Sequence, residues 1–369
     1  MKRMLKRILV VLLVLILLAV AGFGVLYAGR LRTVNSIEQL TNYDDYNLYR
    51  MDICYDYSID DVINYGITDN QSMIDAILKE TLPLLPVHMK APNYGCSAFA
   101  TVSDGNILMG RNYDFKNDTS AMLVYCTPKD GYASVAFAAL DNINANTPDA
   151  SMAKKLATLT APFICLDGMN EKGVSIAVLT LDSDPTYQQT GKPMIATTLA
   201  IRLVLDRAAT TAEAVELLSK YDMFASSGRD YHFYITDASG DGRVLEYDCN
   251  DLARPLTVTP SRSVTNFFVM YKDNVLPNQR NGVYGHGRER YDAIEEILDA
   301  NAGSIDREIA WQALQAASQA PNPKDVTSNT QWSILYDNTA LTAEAVIRRD
   351  WNTKTSYNLV SNVAVTDVG

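Results

Sequence analysis

Gly95-Cys96-Ser97-Ala98-Phe99-Ala100-Thr101 runs ahead of Gly110-Arg111-Asn112-Tyr113-Asp114-Phe115, and these two segments say most about how the chain is built. Asp104-Gly105-Asn106 lies between the two and is a strong hairpin signal, so Ser97 to Val102 and Ile107 to Arg111 read as paired strands. A cysteine therefore opens a strand, and an arginine and an aspartate lie one hairpin later. A cysteine thiol has a pKa of about 8.5 and needs a base or a nearby cation to become a nucleophile. The chain has three histidines, His88, His232 and His286, widely spread, so a Cys–His pair is thinly supplied. Cutting the peptide bond before Cys96 would create an α-amine on the same residue. Its unperturbed pKa of about 7.7–8.0 suits a general base near neutrality. Gly95 fits this scheme, since it puts no side chain beside the bond and tolerates unusual backbone angles.

Outward from this hairpin the pattern stays strand-rich. Leu123 to Tyr125 and Ser134 to Ala139 flank Lys129-Asp130-Gly131, and Phe163 to Asp167 and Val174 to Leu181 flank Asn170-Glu171-Lys172-Gly173. Helices are predicted over Ile195 to Ala208 and over Thr210 to Tyr221, where Thr210 and Glu213 stand at capping-box spacing. Strands return at His232 to Thr236 and Val244 to Tyr247, and another short one should run to Asn266. Helices at Arg288 to Ala300 and Asp306 to Ala317 precede strands near Gln331 to Tyr336 and Ala343 to Arg348. Hairpins, a helical pair, hairpins, a second helical pair and strands give an α+β class, with sheets packed against helical layers. Before Cys96 the reading differs. Asn42 to Tyr65 is crowded with Asp, Asn and Tyr; Ser72 to Leu82 reads as a short helix capped by Ser72; Ala91-Pro92-Asn93-Tyr94-Gly95 reads as a turn.

The N-terminus is of another kind. Ile8 to Ala28 carries no charge and would span roughly 31 Å as a helix, close to the hydrocarbon thickness of a bilayer. Lys2, Arg3, Lys6 and Arg7 precede it, which favours a cytoplasmic start and everything after Ala28 outside. A cleaved signal peptide is the rival reading. The net charge is −11, and Lys2, Arg3, Lys6, Arg7, Arg30 and Arg32 sit at the N-terminus, so the remainder is more acidic still. Such a body is a poor partner for phosphate backbones, which argues against nucleic acid. The five cysteines, Cys54, Cys96, Cys126, Cys165 and Cys249, show no zinc-ribbon or Cys-x-x-Cys spacing, and apart from Cys96 they read as buried thiols or a disulfide. No metal or cofactor is expected.

The cysteine-led strand and the Gly-Arg-Asn-x-Asp stretch resemble the choloylglycine hydrolase family of N-terminal-nucleophile hydrolases, which includes bile-salt hydrolases, penicillin V acylases and, more distantly, acid amidases and ceramidases. Downstream, Asp167 to Gly173 is similar to the family's second hairpin turn, Ser263-Val264-Thr265-Asn266 to the strand end with its oxyanion asparagine, Arg290-Tyr291 to its Arg-aromatic pair, and Thr330-Gln331-Trp332-Ser333 to the start of its last strands. The resemblance runs from Cys96 to about Leu359. It implies a four-layer αββα sandwich, with 96–369 as catalytic domain and 31–95 as prosegment or linker, preceded by the basic start and transmembrane helix read at residues 1–30. It also implies roles. Cys96 is the nucleophile, with its own amine as base. Asp114 orients that amine, and Arg111 favours the thiolate. Asn266 and the Thr180 backbone N–H stabilise the oxyanion, and Arg290 steadies the cleft. The expected reaction is hydrolysis of a linear amide, on a small amphiphilic or acylated substrate, outside the cytoplasmic membrane. Acyl transfer to an amine, and a non-catalytic surface protein with the same fold, are the competing readings.

Overall fold

The computed structural model describes residues 2–85, 95–116, 118–280, 282–324 and 328–369. The turn expected at Ala91-Pro92-Asn93-Tyr94 lies outside the described residues. The N-terminal part forms α1 (Lys2–Asn35), β1 (Glu38–Gln39), β2 (Leu48–Asp52), α2 (Ile59–Asn64) and α3 (Asn70–Thr81). The decisive hairpin follows as β3 (Gly95–Ser103) and β4 (Asn106–Asp114), then β5 (Ala121–Cys126) and β6 (Ser134–Ala139). Next come α4 (Met152–Ala157), β7 (Cys165–Asn170), β8 (Ser175–Leu181), β9 (Met194–Ala196), α5 (Thr197–Arg207), α6 (Thr211–Leu218) and β10 (Asp222–Phe224). The chain continues through β11 (Asp230–Thr236), β12 (Gly242–Tyr247), β13 (Leu256–Pro260), β14 (Ser263–Val264), α7 (Arg288–Ala300) and α8 (Arg307–Ala317). It ends in β15 (Thr330–Asp337), β16 (Thr342–Ile347), β17 (Thr353–Asn358) and β18 (Val363–Val368).

Side-chain alternation along β3 sets the layering. Cys96, Ala98 and Ala100 face one core, while Phe99 faces another with Leu108, Ile294, Leu298, Trp311 and Leu314. The second core lies between α7, α8 and a seven-stranded sheet ordered β14-β3-β4-β15-β16-β17-β18. The first lies between that sheet and a nine-stranded one, β1-β2-β5-β6-β7-β8-β11-β12-β13, whose outer face carries α5 and α6. Helices thus cover the outer face of each sheet, and β3 meets β8 across the middle. Strands buried on both sides, such as Ser175–Leu181, have no polar face to show.

Three readings shift. The helix expected from Ser72 starts at Asn70, because Asp69 is its cap: the Asp69 carboxylate accepts from the Ser72 N–H at 2.8 Å, and the Ser72 hydroxyl accepts from the Asp69 N–H at 3.0 Å. The strand expected from Phe163 starts at Cys165, since a 3₁₀ turn over Thr158–Phe163 holds the earlier residues. No cysteine is in a disulfide; Cys126 and Cys165 are buried and Cys54 is exposed.

Of residues 31–95, expected as prosegment or linker, the described part through 85 is joined to the body. β2 pairs in parallel with β5, from Leu48 opposite Ala121 to Asp52 opposite Tyr125. The Tyr55 hydroxyl donates to Leu159 O at 2.6 Å, and the Tyr57 hydroxyl to Asp206 Oδ1 at 3.1 Å, beside the buried Arg202–Asp206 ion pair. Tyr43 donates to Asp350 Oδ2 at 2.8 Å, reaching the other sheet's end.

α1 is the one described helix long and apolar enough to cross a membrane. Its apolar stretch is exposed, but Tyr27, Arg30, Thr33 and Val34 are buried against the fold. Arg30 donates to the carbonyls of Glu80 and Thr81, both at 2.6 Å, which would otherwise be open acceptors at the end of α3. At Gly29 the helix backbone lies against the chain at Cys54, and an added Cβ would stand 2.6 Å from the Cys54 carbonyl oxygen. Gly29→Ala should therefore cost about 1–3 kcal/mol by overpacking. Gly24→Ala, with nothing within 4 Å, should leave the urea midpoint unchanged. Equal midpoints for the two variants would refute the docking.

Candidate active site

Five elements bring the expected residues to one end of the sheets. Cys96 opens β3, opposite Tyr113, and Gly95 lies opposite Asp114, so the hairpin register alone sets Asp114 beside the cysteine. Asn266 follows β14, which pairs with β3 through Val264 opposite Ala98. Thr180 lies near the end of β8, and Arg290 lies in the first turn of α7. All six are buried.

Arg290 joins most of them. Its Nη2 donates to Asn266 Oδ1 at 2.7 Å, and its Nη1 donates to the Cys96 carbonyl at 3.2 Å and lies 3.5 Å from Asp114 Oδ2. The residue before α7, Gly287, makes this reach available: its φ is +86°, and a Cβ there would lie 2.4 Å from Arg290 Nη2. Asn266 Oδ1 also accepts from the Cys96 backbone N–H at 3.4 Å.

Asn266 differs from its expected pose in one respect. Its Nδ2 is turned to Thr180, donating to the carbonyl at 3.0 Å and to the hydroxyl at 3.1 Å. In extended backbone a residue's N–H and C=O point to the same side of the strand. The Thr180 N–H therefore faces the Asn266 side rather than β11, and the two expected oxyanion donors sit together.

Arg111 shares the inner face with Cys96, and its charge acts on the thiol. The guanidinium Nε lies 2.7 Å from Asp167 Oδ2, and Nη2 donates to the Val178 carbonyl at 3.1 Å. Burial pushes the Cys96 thiol up to about 12, against the lowering pull of Arg111. Asp114 accepts from the Thr330 hydroxyl at 2.6 Å and from Gln319 Nε2 at 2.9 Å. Burial also raises its carboxyl above the usual range, with the Arg290 charge opposing.

Asp167, Gln319 and Thr330 were not expected as site residues. Asp167 carries a readable signal, a lone carboxylate inside an apolar strand. Tyr336 and Trp332, four residues apart on one face of β15, donate to it at 2.6 and 3.2 Å. Thr330 opens β15, in the stretch already singled out as the start of the last strands, while Gln319 follows α8 with nothing in its local sequence to mark it. His232 has both ring nitrogens engaged, with Glu246 Oε1 at 3.0 Å and the Thr265 carbonyl at 2.9 Å, so it offers Cys96 no base. Among the described residues no group of three or more His, Cys, Asp or Glu could hold a metal ion.

Two outcomes follow from these burials. In the uncleaved chain, Cys96 alkylation by iodoacetamide, followed by peptide mass mapping, should still be rising at pH 10. An ordinary thiol with a pKa of about 8.5 would level off earlier, and such a plateau would contradict the buried setting. Arg111→Met, which strands the Asp167 charge, should cost about 3–5 kcal/mol in urea unfolding, and adding Asp167→Leu should recover part of the loss.

Comparison with known proteins was made for both sequence and fold. Residues 96–254 match the family model of linear amide C-N hydrolases, choloylglycine hydrolase family. The fold is similar to penicillin V acylase from Agrobacterium tumefaciens, at 17% identity and a TM-score of 0.50, over 71% of this chain and 85% of that one. It is also similar to a variant of conjugated bile acid hydrolase from Clostridium perfringens, at 16% identity and a TM-score of 0.52, over 74% and 97%. At these identities the two structures speak for the fold, while the family model speaks for the matched segment. Residues 96–254 thus match the choloylglycine hydrolase family of linear amide C-N hydrolases, and the fold around them is similar to that of penicillin V acylase and conjugated bile acid hydrolase.

Proposed function

We propose that this protein hydrolyses a linear, non-peptide amide with Cys96 as nucleophile, after cleavage of the Gly95–Cys96 bond has freed its α-amine. The observation that carries this reading is the surroundings of that nitrogen. It lies 3.4 Å from Asn266 Oδ1, on a residue whose carbonyl is held by Arg290 and whose strand neighbour faces Asp114. A freed amine there has acceptors to orient it and a thiol on its own side chain.

The reaction then runs as follows. Cys96 Sγ attacks the amide carbon as the α-amine takes the thiol proton. The oxyanion is met by the Thr180 N–H and by Asn266 Nδ2, which gives up one of its two bonds to Thr180 to reach it; losing one such donor typically costs about 2.7–4 kcal/mol. The ammonium passes its proton to the leaving nitrogen, the C–N bond breaks, and a thioester remains. Water, deprotonated by the same amine, attacks the thioester and releases the acid and the thiol. The Arg111 charge favours sulfur as an anion at each stage where burial opposes it.

The setting we propose is the outer face of the cytoplasmic membrane, with α1 as anchor, residues 31–95 as prosegment and the αββα body as an N-terminal-nucleophile hydrolase. An amphiphilic substrate with a steroid, phenoxyacetyl or fatty acyl group suits that location. Cleavage would leave the first fragment in place, because β2 and the buried Tyr55 and Tyr57 belong to the body's sheet and core. Mass measurement tests this. The wild-type protein should give two chains divided between Gly95 and Cys96, co-eluting under native conditions. Cys96→Ala should remain whole and should be inactive against phenoxyacetyl, steroid and fatty acyl amides. A wild-type chain that stays intact yet hydrolyses amides would rule out the freed amine.

A further inference from the structure

His232 and Glu246 form a buried pair on adjacent strands of the nine-stranded sheet, and the reaction as written uses neither. Their bonds converge on one short segment. His232 Nε2 meets the Thr265 carbonyl at 2.9 Å, and since a carbonyl only accepts, that nitrogen carries a hydrogen. Nδ1 lies 3.0 Å from Glu246 Oε1. Glu246 accepts in addition from the backbone N–H of Val269 at 2.6 Å and of Met270 at 3.0 Å. The pair thus grips the chain on both sides of Asn266, one residue before it and three and four residues after it. The Thr265 carbonyl belongs to the rigid peptide plane that leads into Asn266. His232 also stands opposite Leu179 in β11–β8 pairing, next to the Tyr231–Thr180 pair, so both oxyanion donors are attached to its immediate neighbours.

We infer that His232 and Glu246 are positioning residues that fix Asn266 against Thr180 and Arg290 through this two-point grip. The inference rests on the proposed role of Asn266. His232 sets the plane before it, and Glu246 holds His232 and the turn after it. Misplacement of a donor by about an ångström costs roughly 10²-fold in rate.

Three variants test this with the 4-nitroanilide of phenoxyacetic acid as probe. H232Q keeps a donor near the position of Nε2. H232N can face Glu246 but is too short for the Thr265 carbonyl. E246Q keeps the shape and loses the charge. Expected are a kcat lowered roughly 10²-fold in H232N with KM little changed, a smaller loss in E246Q, and recovery of most of kcat in H232Q. Equal kcat losses in H232N and H232Q that follow their losses of thermal stability would overturn the inference in favour of plain core packing, as would an unchanged kcat in H232N. If the wild-type protein leaves the probe intact, crystal structures of the same variants decide. The 2.7 Å contact between Asn266 Oδ1 and Arg290 Nη2 should be lost in H232N and kept in H232Q; its persistence in H232N would overturn the grip whatever the reaction.

Discussion

A buried guanidinium must spend its hydrogens on acceptors, and Arg290 has those acceptors in three separate parts of the chain. The Cys96 carbonyl, the Asp114 carboxylate and the Asn266 side chain are brought by β3, β4 and the segment after β14. Leaving such a charge unmatched would be strongly destabilising, so the three positions are one constraint rather than three. Apolar packing decides where that constraint is applied. Ile294 and Leu298 seat α7 on Phe99 and Leu108, which fixes the helix axis and so where its first turn begins.

A second buried charge pair works from the other side of the sulfur. Arg111 reaches across the inner core from the seven-stranded sheet to Asp167 and Val178 in the nine-stranded one. The thiol therefore lies at the seam of the two sheets, with a cation beside it and little water. Burial favours the neutral thiol while Arg111 favours its anion, a balance that suits the nucleophile we propose, charged only while it reacts.

Much of this could be read along the chain because it is local. The turn at Asp104-Gly105-Asn106 fixes the β3–β4 register, and the register places Asp114 opposite Gly95. α7 runs over the expected Arg288–Ala300, and Thr210 caps α6 by accepting from the Glu213 N–H. What escaped depends on partners distant in sequence. Leu48-Tyr49-Arg50-Met51-Asp52 shows no strand periodicity of its own and becomes β2 because β5 offers it an edge. β17 and β18 join the sheet as a second hairpin at its edge and were also missed. The helix expected from Ser72 begins at Asn70, because Asp69 has the extended backbone and the side-chain bond to the Ser72 N–H that a cap requires. The match between Asp167 and Arg111 spans two sheets and leaves no spacing to find.

α1 has one more consequence. It is a single rod from Lys2 to Asn35, exposed in its apolar part and locked to the fold from Tyr27 onward, with no linker between. Such a rod makes the catalytic body a fixed flag on a pole. Each residue added within the exposed part would lift the body by about 1.5 Å and swing it by about 100° around the helix axis. With α1 as the anchor proposed above, the direction in which the body faces a surface would be written in the residue count of that helix, and bilayer thickness would be a variable that the protein feels.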